Sequence, residues 1–187
     1  DDNVPAVPYA MRVDTETAKQ DVPFGCTEFV IKGQSTGTPN VCINLLKLLT
    51  VYMNGGVDPM DGKRKDAGVA IRPLEEYETY EDFFTGYTKL VDAYLDMAVD
   101  RQMKSFEIMN EHVSYLFMSM LTDDCLARGR AILDGGVRYL GGTNETYGNI
   151  NVSDSLYAVK KLVFEDKRYT LAEMARAKRE PLSERIK

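Results

Sequence analysis

A chain of 187 residues, 44% hydrophobic and 28% charged, is long enough for one domain and has the mixture of a soluble globular protein. A formal net charge of -6 argues against nucleic-acid or anionic-membrane partners, which favour a basic surface. Its short apolar runs and acidic Asp1-Asp2-Asn3 start offer neither a membrane span nor a secretory signal, and three cysteines without a CxxC pair, beside one histidine, read as reduced thiols in a cytoplasmic protein with no metal centre.

In chain order, residues 1–24 read as irregular because Pro5, Pro8 and Pro23 each lack a backbone donor. Thr27-Glu28-Phe29-Val30-Ile31 is β-branched and aromatic enough for a short strand, followed by a flexible link from Gly33 to Gly37. The pattern then predicts a helix from Thr38-Pro39, with Thr38 as cap, Val41, Leu45, Leu48, Leu49 and Tyr52 recurring near helical spacing and Gly55-Gly56 as its stop. Residues 57–73 read as a loop with a brief extended piece at Val69-Ala70-Ile71 and a solvated basic cluster, Lys63-Arg64-Lys65.

Thr79 to Asp82 has the form of a capping box, and a long helix to about Glu111 follows. Phe83, Tyr87, Leu90, Val91, Tyr94, Leu95 and Ala98 share one of its faces, opposite Lys89, Asp92 and Asp96. Such a length predicts a scaffold helix on a larger body. A helix over Thr122–Leu133, a strand over Val137–Leu140 and a loop over Gly141–Asn151 come next. Ser153 or Asp154 is expected to cap a helix bearing Leu156, Val159, Leu162 and Val163, and Thr170 to Glu173 to box the last one, stopped by Pro181. The order is α/β and helix-rich, with strands too few and too scattered for a complete sheet.

The chemistry concentrates at Gly25-Cys26-Thr27-Glu28. In an extended segment side chains two apart share a face, with Cα atoms roughly 6.6 Å apart, so a small substrate could meet the Cys26 sulfur and the Glu28 carboxylate together. Gly25 allows a tight turn before the thiol. The residues alone leave the alternatives open: a small buried thiol and a solvated carboxylate. A dyad of Cys26 with His112 would draw on a residue in a helical stretch. Cys42, placed inside a helix, and Cys125, beside two carboxylates that disfavour a thiolate, read as packed structural thiols.

Gly25-Cys26-Thr27-Glu28 resembles the Gly-Cys-x-Glu loop of glycyl radical enzymes, the pyruvate formate-lyase-like family. Ser119 to Arg130 with Gly135-Gly136-Val137-Arg138-Tyr139, and Asn149 to Leu156 with Ala158 to Tyr169, resemble further family segments in the same order. The likeness runs from about residue 20 to 175. It implies a helix-rich part of a ten-stranded α/β barrel, with residues 1–187 lying in one barrel domain. Cys26 would be the thiyl residue, and Glu28 the general base or acid. It further implies a glycyl radical outside this chain, installed by an activating enzyme that uses S-adenosylmethionine and an iron–sulfur cluster. The partners implied are that enzyme, a small-molecule substrate, the remainder of the barrel with its glycine radical domain and, at full length, a second copy in a homodimer.

A single Cys followed by x-Glu points to the dehydratase, decarboxylase and C–N or C–S lyase branch, with dehydration of a diol-type substrate leading. The radical loop of the type Arg-Val-Ala-Gly-Tyr is missing, and the tail from Lys178 departs from the family's continuation. The chain alone is therefore expected to be inactive: a fragment, a split subunit or a non-catalytic scaffold relative. The loop Gly141–Asn151 is expected to line the pocket, with Asn144, Glu145 and Asn149 as polar candidates, although ordinary turn residues would have the same composition.

Overall fold

The computed structural model describes residues 12–24, 28–37, 39–141 and 143–177. The chain forms two compact units, Asp1–Cys42 with Ala98–Glu145 and Ile43–Met97 with Thr146–Lys187.

In the first unit, α1 (Thr15–Ala18) is capped by Asp14, whose carboxylate takes the Thr17 N–H at 2.9 Å. Strands β1 (Asp21–Phe24) and β2 (Glu28–Ile31) then pair antiparallel, Asp21 opposite Ile31 and Phe24 opposite Glu28. The expectation of an irregular start is thus corrected for residues 15–24, where a local cap and an edge strand that tolerates Pro23 override the proline signal. Pro5 and Pro8 lie outside the described residues.

Strand β3 (Pro39–Asn44) occupies the beginning of the predicted helix; α2 (Leu45–Tyr52) starts only where the Asn44 side chain accepts the Lys47 N–H at 2.9 Å. Thr38, the expected cap, lies outside the described residues. The cap and the Pro at a first helical position were reasonable local signals; pairing of β3 with a partner strand overrides them.

Residues 57–73 of the second unit are a loop as expected, apart from a bridge between Val57 and Arg64; Val69-Ala70-Ile71 forms no strand. Its basic cluster is not simply solvated. Lys65 joins Lys47 on Asp58, a carboxylate almost wholly removed from solvent, and Arg64 holds Asp66. A single turn at Leu74–Glu76 leads to α3 (Tyr80–His112). Thr79 Oγ1 accepts the Asp82 N–H at 3.2 Å, one half of the expected box, while the Asp82 carboxylate turns to Arg72. Phe83, Tyr87, Leu90 and Ala98 are buried along the anticipated face.

A short α4 (Leu116–Leu121) ends before Thr122, and the helix expected over Thr122–Leu133 is reduced to α5 (Cys125–Arg128) and the start of a wide turn at Ile132–Gly136. Left-handed backbone at Asp124 and Gly129 breaks it. The segment Val137–Leu140 contributes only an isolated parallel bridge, Ser35 to Tyr139. The expected loop Gly141–Asn151 contains β4 (Thr143–Tyr147), and α6 (Asn149–Val159) starts at Asn149 after a left-handed Gly148, ahead of Ser153 and Asp154. It continues as a wider turn over Lys160–Glu165. The last helix, α7 (Leu171–Ala177), has its full box, Thr170 N–H to Glu173 Oε2 at 2.8 Å and Glu173 N–H to Thr170 Oγ1 at 3.2 Å. Pro181 lies outside the described residues.

Strand β3 pairs with β4, and each strand runs directly into a helix, β3 into α2 and β4 into α6. Successive contacts, Thr36 with Gly141 and Cys42 with Glu145, climb both strands together, the sense of a parallel pair. Helices α2 and α6 pack on one another. Two such strand–helix steps side by side are the repeating unit of an α/β barrel wall.

Candidate functional site

Glu28 opens β2, directly across the ladder from Phe24, so the residues 25–27 join the two strands. Gly25, Cys26 and Thr27 lie outside the described residues. Glu28 is 6% exposed, and its Oε2 has no hydrogen-bond partner among the described residues. Burial without a partner is costly for a carboxylate oxygen. The strand is held well: Val30 N–H donates to Asp21 Oδ1 at 3.0 Å, and Ile31, which closes it, is fully buried.

Asn144 and Glu145 sit consecutively on β4, so their side chains leave opposite faces of the strand. Asn144 Oδ1 is buried and unpartnered among the described residues. Glu145 Oε2 accepts from the thiol of Cys42 on β3, at 3.8 Å. Cys42 is therefore an exposed strand thiol and not the packed helical one expected. The cause is the shift of the helix start from residue 39 to 45. Asn149 is exposed in the first turn of α6, where its Nδ2 donates to Thr146 Oγ1 at 2.9 Å. The structure brings Cys42 and Glu145 together; Asn149 is turned to its own local partner.

Cys125 is buried among Ile132, Leu133 and Val137, and burial pushes its thiol up, with Asp124 adding to the effect and Arg128 opposing it. This matches the packed, inert thiol expected. Among the described residues no group of His, Cys, Asp and Glu is placed to hold a metal ion, and no helix is long and apolar enough to cross a membrane.

No local signal in the sequence marks how β2 is anchored. Beyond Ile31 the chain turns through Gly33 and Gln34, whose carbonyls accept the N–H groups of Asp123 and Tyr139, each at 2.9 Å. The segment around Cys125 thus carries the segment that leads from Glu28.

The description pyruvate formate lyase-like matches residues 2–180. The chain is 26% identical over 162 residues to trans-4-hydroxy-L-proline dehydratase of Clostridioides difficile, covering 87% of this chain and 20% of the relative. It is 29% identical over 169 residues to indoleacetate decarboxylase of Tractidigestivibacter scatoligenes, covering 88% of this chain and 18% of the relative. A solved structure concerned with 1,2-propanediol dehydration in Roseburia inulinivorans superimposes with a TM-score of 0.82 at 26% identity, covering 93% of this chain and 21% of the other. The chain spans about a fifth of the length of the curated relatives it matches. With its paired strand–helix steps as a partial α/β barrel segment, this chain belongs to the pyruvate formate lyase-like family of glycyl radical enzymes.

Proposed function

We propose that this chain is the catalytic-cysteine segment of a glycyl radical lyase, with Cys26 as the hydrogen-abstracting residue and Glu28 as its acid–base partner. The observation that carries the reading is Glu28: a buried carboxylate with an oxygen left unpaired by the described residues, two positions from the cysteine. The sequence likeness of the Gly25–Glu28 segment supports the same assignment. These residues suit a radical supplied from elsewhere in the complete protein, whose chemistry is to take the hydrogen atom from the Cys26 thiol.

The sulfur of Cys26 then removes a hydrogen atom from a substrate carbon: the C–H bond breaks and an S–H bond forms. Glu28 takes the proton of the hydroxyl on that carbon. The resulting ketyl expels the neighbouring hydroxide, which leaves as water with the proton held by Glu28. Return of the hydrogen atom from Cys26 to the product carbon restores the sulfur. A diol thereby becomes a carbonyl compound and water, with atoms and electrons balanced. Enclosure of the pair in the complete barrel would keep the sulfur-centred radical from side reactions. The relatives favour dehydration, and indoleacetate decarboxylase supports a second reading, decarboxylation of an arylacetate at the same cysteine. C–N or C–S lyase chemistry would use the same two side chains. Of the two consecutive β4 residues, Asn144, whose Oδ1 is buried without a partner among the described residues, is proposed as the polar contact of the pocket.

The test uses the complete protein carrying this segment, activated anaerobically by its S-adenosylmethionine-dependent iron–sulfur activating enzyme. Propane-1,2-diol, trans-4-hydroxy-L-proline and indoleacetate are supplied as separate substrates. The expected result is turnover of a hydroxylated substrate, lost in Cys26→Ser and reduced about 10²- to 10⁴-fold in Glu28→Gln. Wild-type turnover by Cys26→Ser would remove the assignment, and turnover of indoleacetate alone would select the second reading. No turnover of any of the three would favour a scaffold role.

A further inference from the structure

We propose that Gly33 and Arg138 are positioning residues for Glu28, acting through the turn that ends β2; this rests on the functional reading of Glu28 above. Ile31, the last residue of β2, has both backbone groups bound by that turn. Its carbonyl accepts the N–H groups of Gln34 at 2.9 Å and Ser35 at 3.1 Å, and its own N–H donates to Ser35 Oγ at 2.9 Å. Whatever holds residues 33–35 therefore holds the strand that begins with Glu28.

What holds them is the segment 123–141. Asp123 N–H donates to the Gly33 carbonyl and Tyr139 N–H to the Gln34 carbonyl, each at 2.9 Å. Ser35 bridges Tyr139 in parallel, and Thr36 Oγ1 donates to the Gly141 carbonyl at 3.3 Å. The side chain of Arg138 adds a second layer. Its Nη1 reaches Gln34 Oε1 at 3.4 Å, while Nε and Nη2 hold the two oxygens of Asp124 at 2.8 and 3.3 Å. A planar guanidinium can serve all three acceptors at once, which an ammonium cannot.

Gly33 is required twice over at this junction. Its φ of 73° is left-handed, and a Cβ built there would stand 2.9 Å from Asp123 Oδ2. Any larger residue must either push the Asp123 side chain aside or lift the turn from its seat. The two sequence blocks that surround the cysteine loop and Cys125 are thus one mechanical assembly. Because Glu28 Oε2 has no hydrogen-bond partner among the described residues, the placement of that oxygen depends on the seat of its strand. Displacement of about 1 Å in a catalytic group is enough to slow a reaction markedly without altering what is bound.

The experiment is steady-state kinetics of the complete, activated protein on whichever of propane-1,2-diol and trans-4-hydroxy-L-proline it converts faster. For Gly33→Ala, kcat is expected to fall at least tenfold, with KM within twofold of wild type and a larger solvent deuterium isotope effect as the Glu28 proton step becomes slower. Gly33→Ala combined with Asp123→Ser, which clears the oxygen that the methyl would meet but leaves the left-handed backbone, should recover part of the loss. Arg138→Gln, on a half-exposed ion pair expected to leave folding intact, should lower kcat about threefold or more by the same signature. Wild-type kcat in Gly33→Ala, or in Arg138→Gln where the glycine variant fails to fold, would overturn the inference. Glu28→Gln is run alongside: if it retains full turnover, the reading of Glu28 falls and the inference with it. If it is inactive while Gly33→Ala is not, the positioning role alone falls.

Discussion

The hydroxyls of Tyr52 and Tyr77 meet at 2.5 Å inside the aromatic cluster of the second unit. Phe83 packs edge-on to both rings, and Tyr87 edge-on to Tyr52. Burial and the neighbouring Tyr77 push the Tyr52 phenol far above its ordinary range, so it serves as a neutral hydrogen-bonding group. Tyr52→Phe should cost about 1–2 kcal/mol by leaving one hydroxyl unsatisfied, whereas the double change to Phe at 52 and 77 should cost less than the sum of the single changes. Denaturant unfolding of the four proteins measures that coupling.

Gly86 on α3 has a related consequence. A Cβ there would lie 1.9 Å from the Tyr52 hydroxyl, which cannot swing away while it is bound to Tyr77. Alanine is favoured over glycine inside a helix by about 1 kcal/mol, yet overpacking costs about 1–3 kcal/mol and should win. Gly86→Ala is therefore expected to lower Tm, and adding Tyr52→Phe to restore part of it. A Tm above wild type for the single variant would show that the cluster yields more readily than its packing suggests.

Asp58 anchors the loop after α2. It takes Lys47 at 2.5 Å and Lys65 at 2.6 Å, and the Met60 N–H at 2.9 Å, and these three donors hold its carboxyl below the usual carboxylate range. A depressed native pKa contributes stability that is fully present above the unfolded value, about 4, and is lost as pH falls through the native one. Asp58→Asn should lower Tm at pH 7, and the gap from wild type should narrow as pH drops below about 4. Thermal melts from pH 7 to pH 2 check this; a gap independent of pH would place the effect elsewhere than in the charge.

Much of the helical scaffold was legible because its signals are local. Thr170 and Glu173 form their box from side chains three apart, and the buried face of α3 is a periodicity that survives any neighbour. What was illegible depends on partners distant in sequence. Pro39 to Asn44 resembles the entry to a helix until β4, some hundred residues later, supplies its other half. Left-handed Asp124 breaks a helix that composition favours, in a place where its carboxylate can bind Arg138. Glu28 was visible as a residue type beside Cys26, whereas its burial and the seat beneath its strand depend on segments 33–35 and 123–141 meeting in space.

The same burial separates a chemical role for Glu28 from a structural one. A side chain retained for packing contributes to stability, so its replacement lowers Tm. A buried carboxylate whose Oε2 finds no partner among the described residues gains little from its surroundings and pays the loss of hydration. Glu28→Gln keeps the shape and removes the charge, which relieves that loss. The expected outcome is a Tm equal to or above that of wild type in a protein whose turnover has fallen about 10²-fold or more. Differential scanning calorimetry and anaerobic turnover on the same preparation provide both numbers. A lower Tm with turnover preserved would make Glu28 a packing residue of β2 and leave Cys26 without its proton partner.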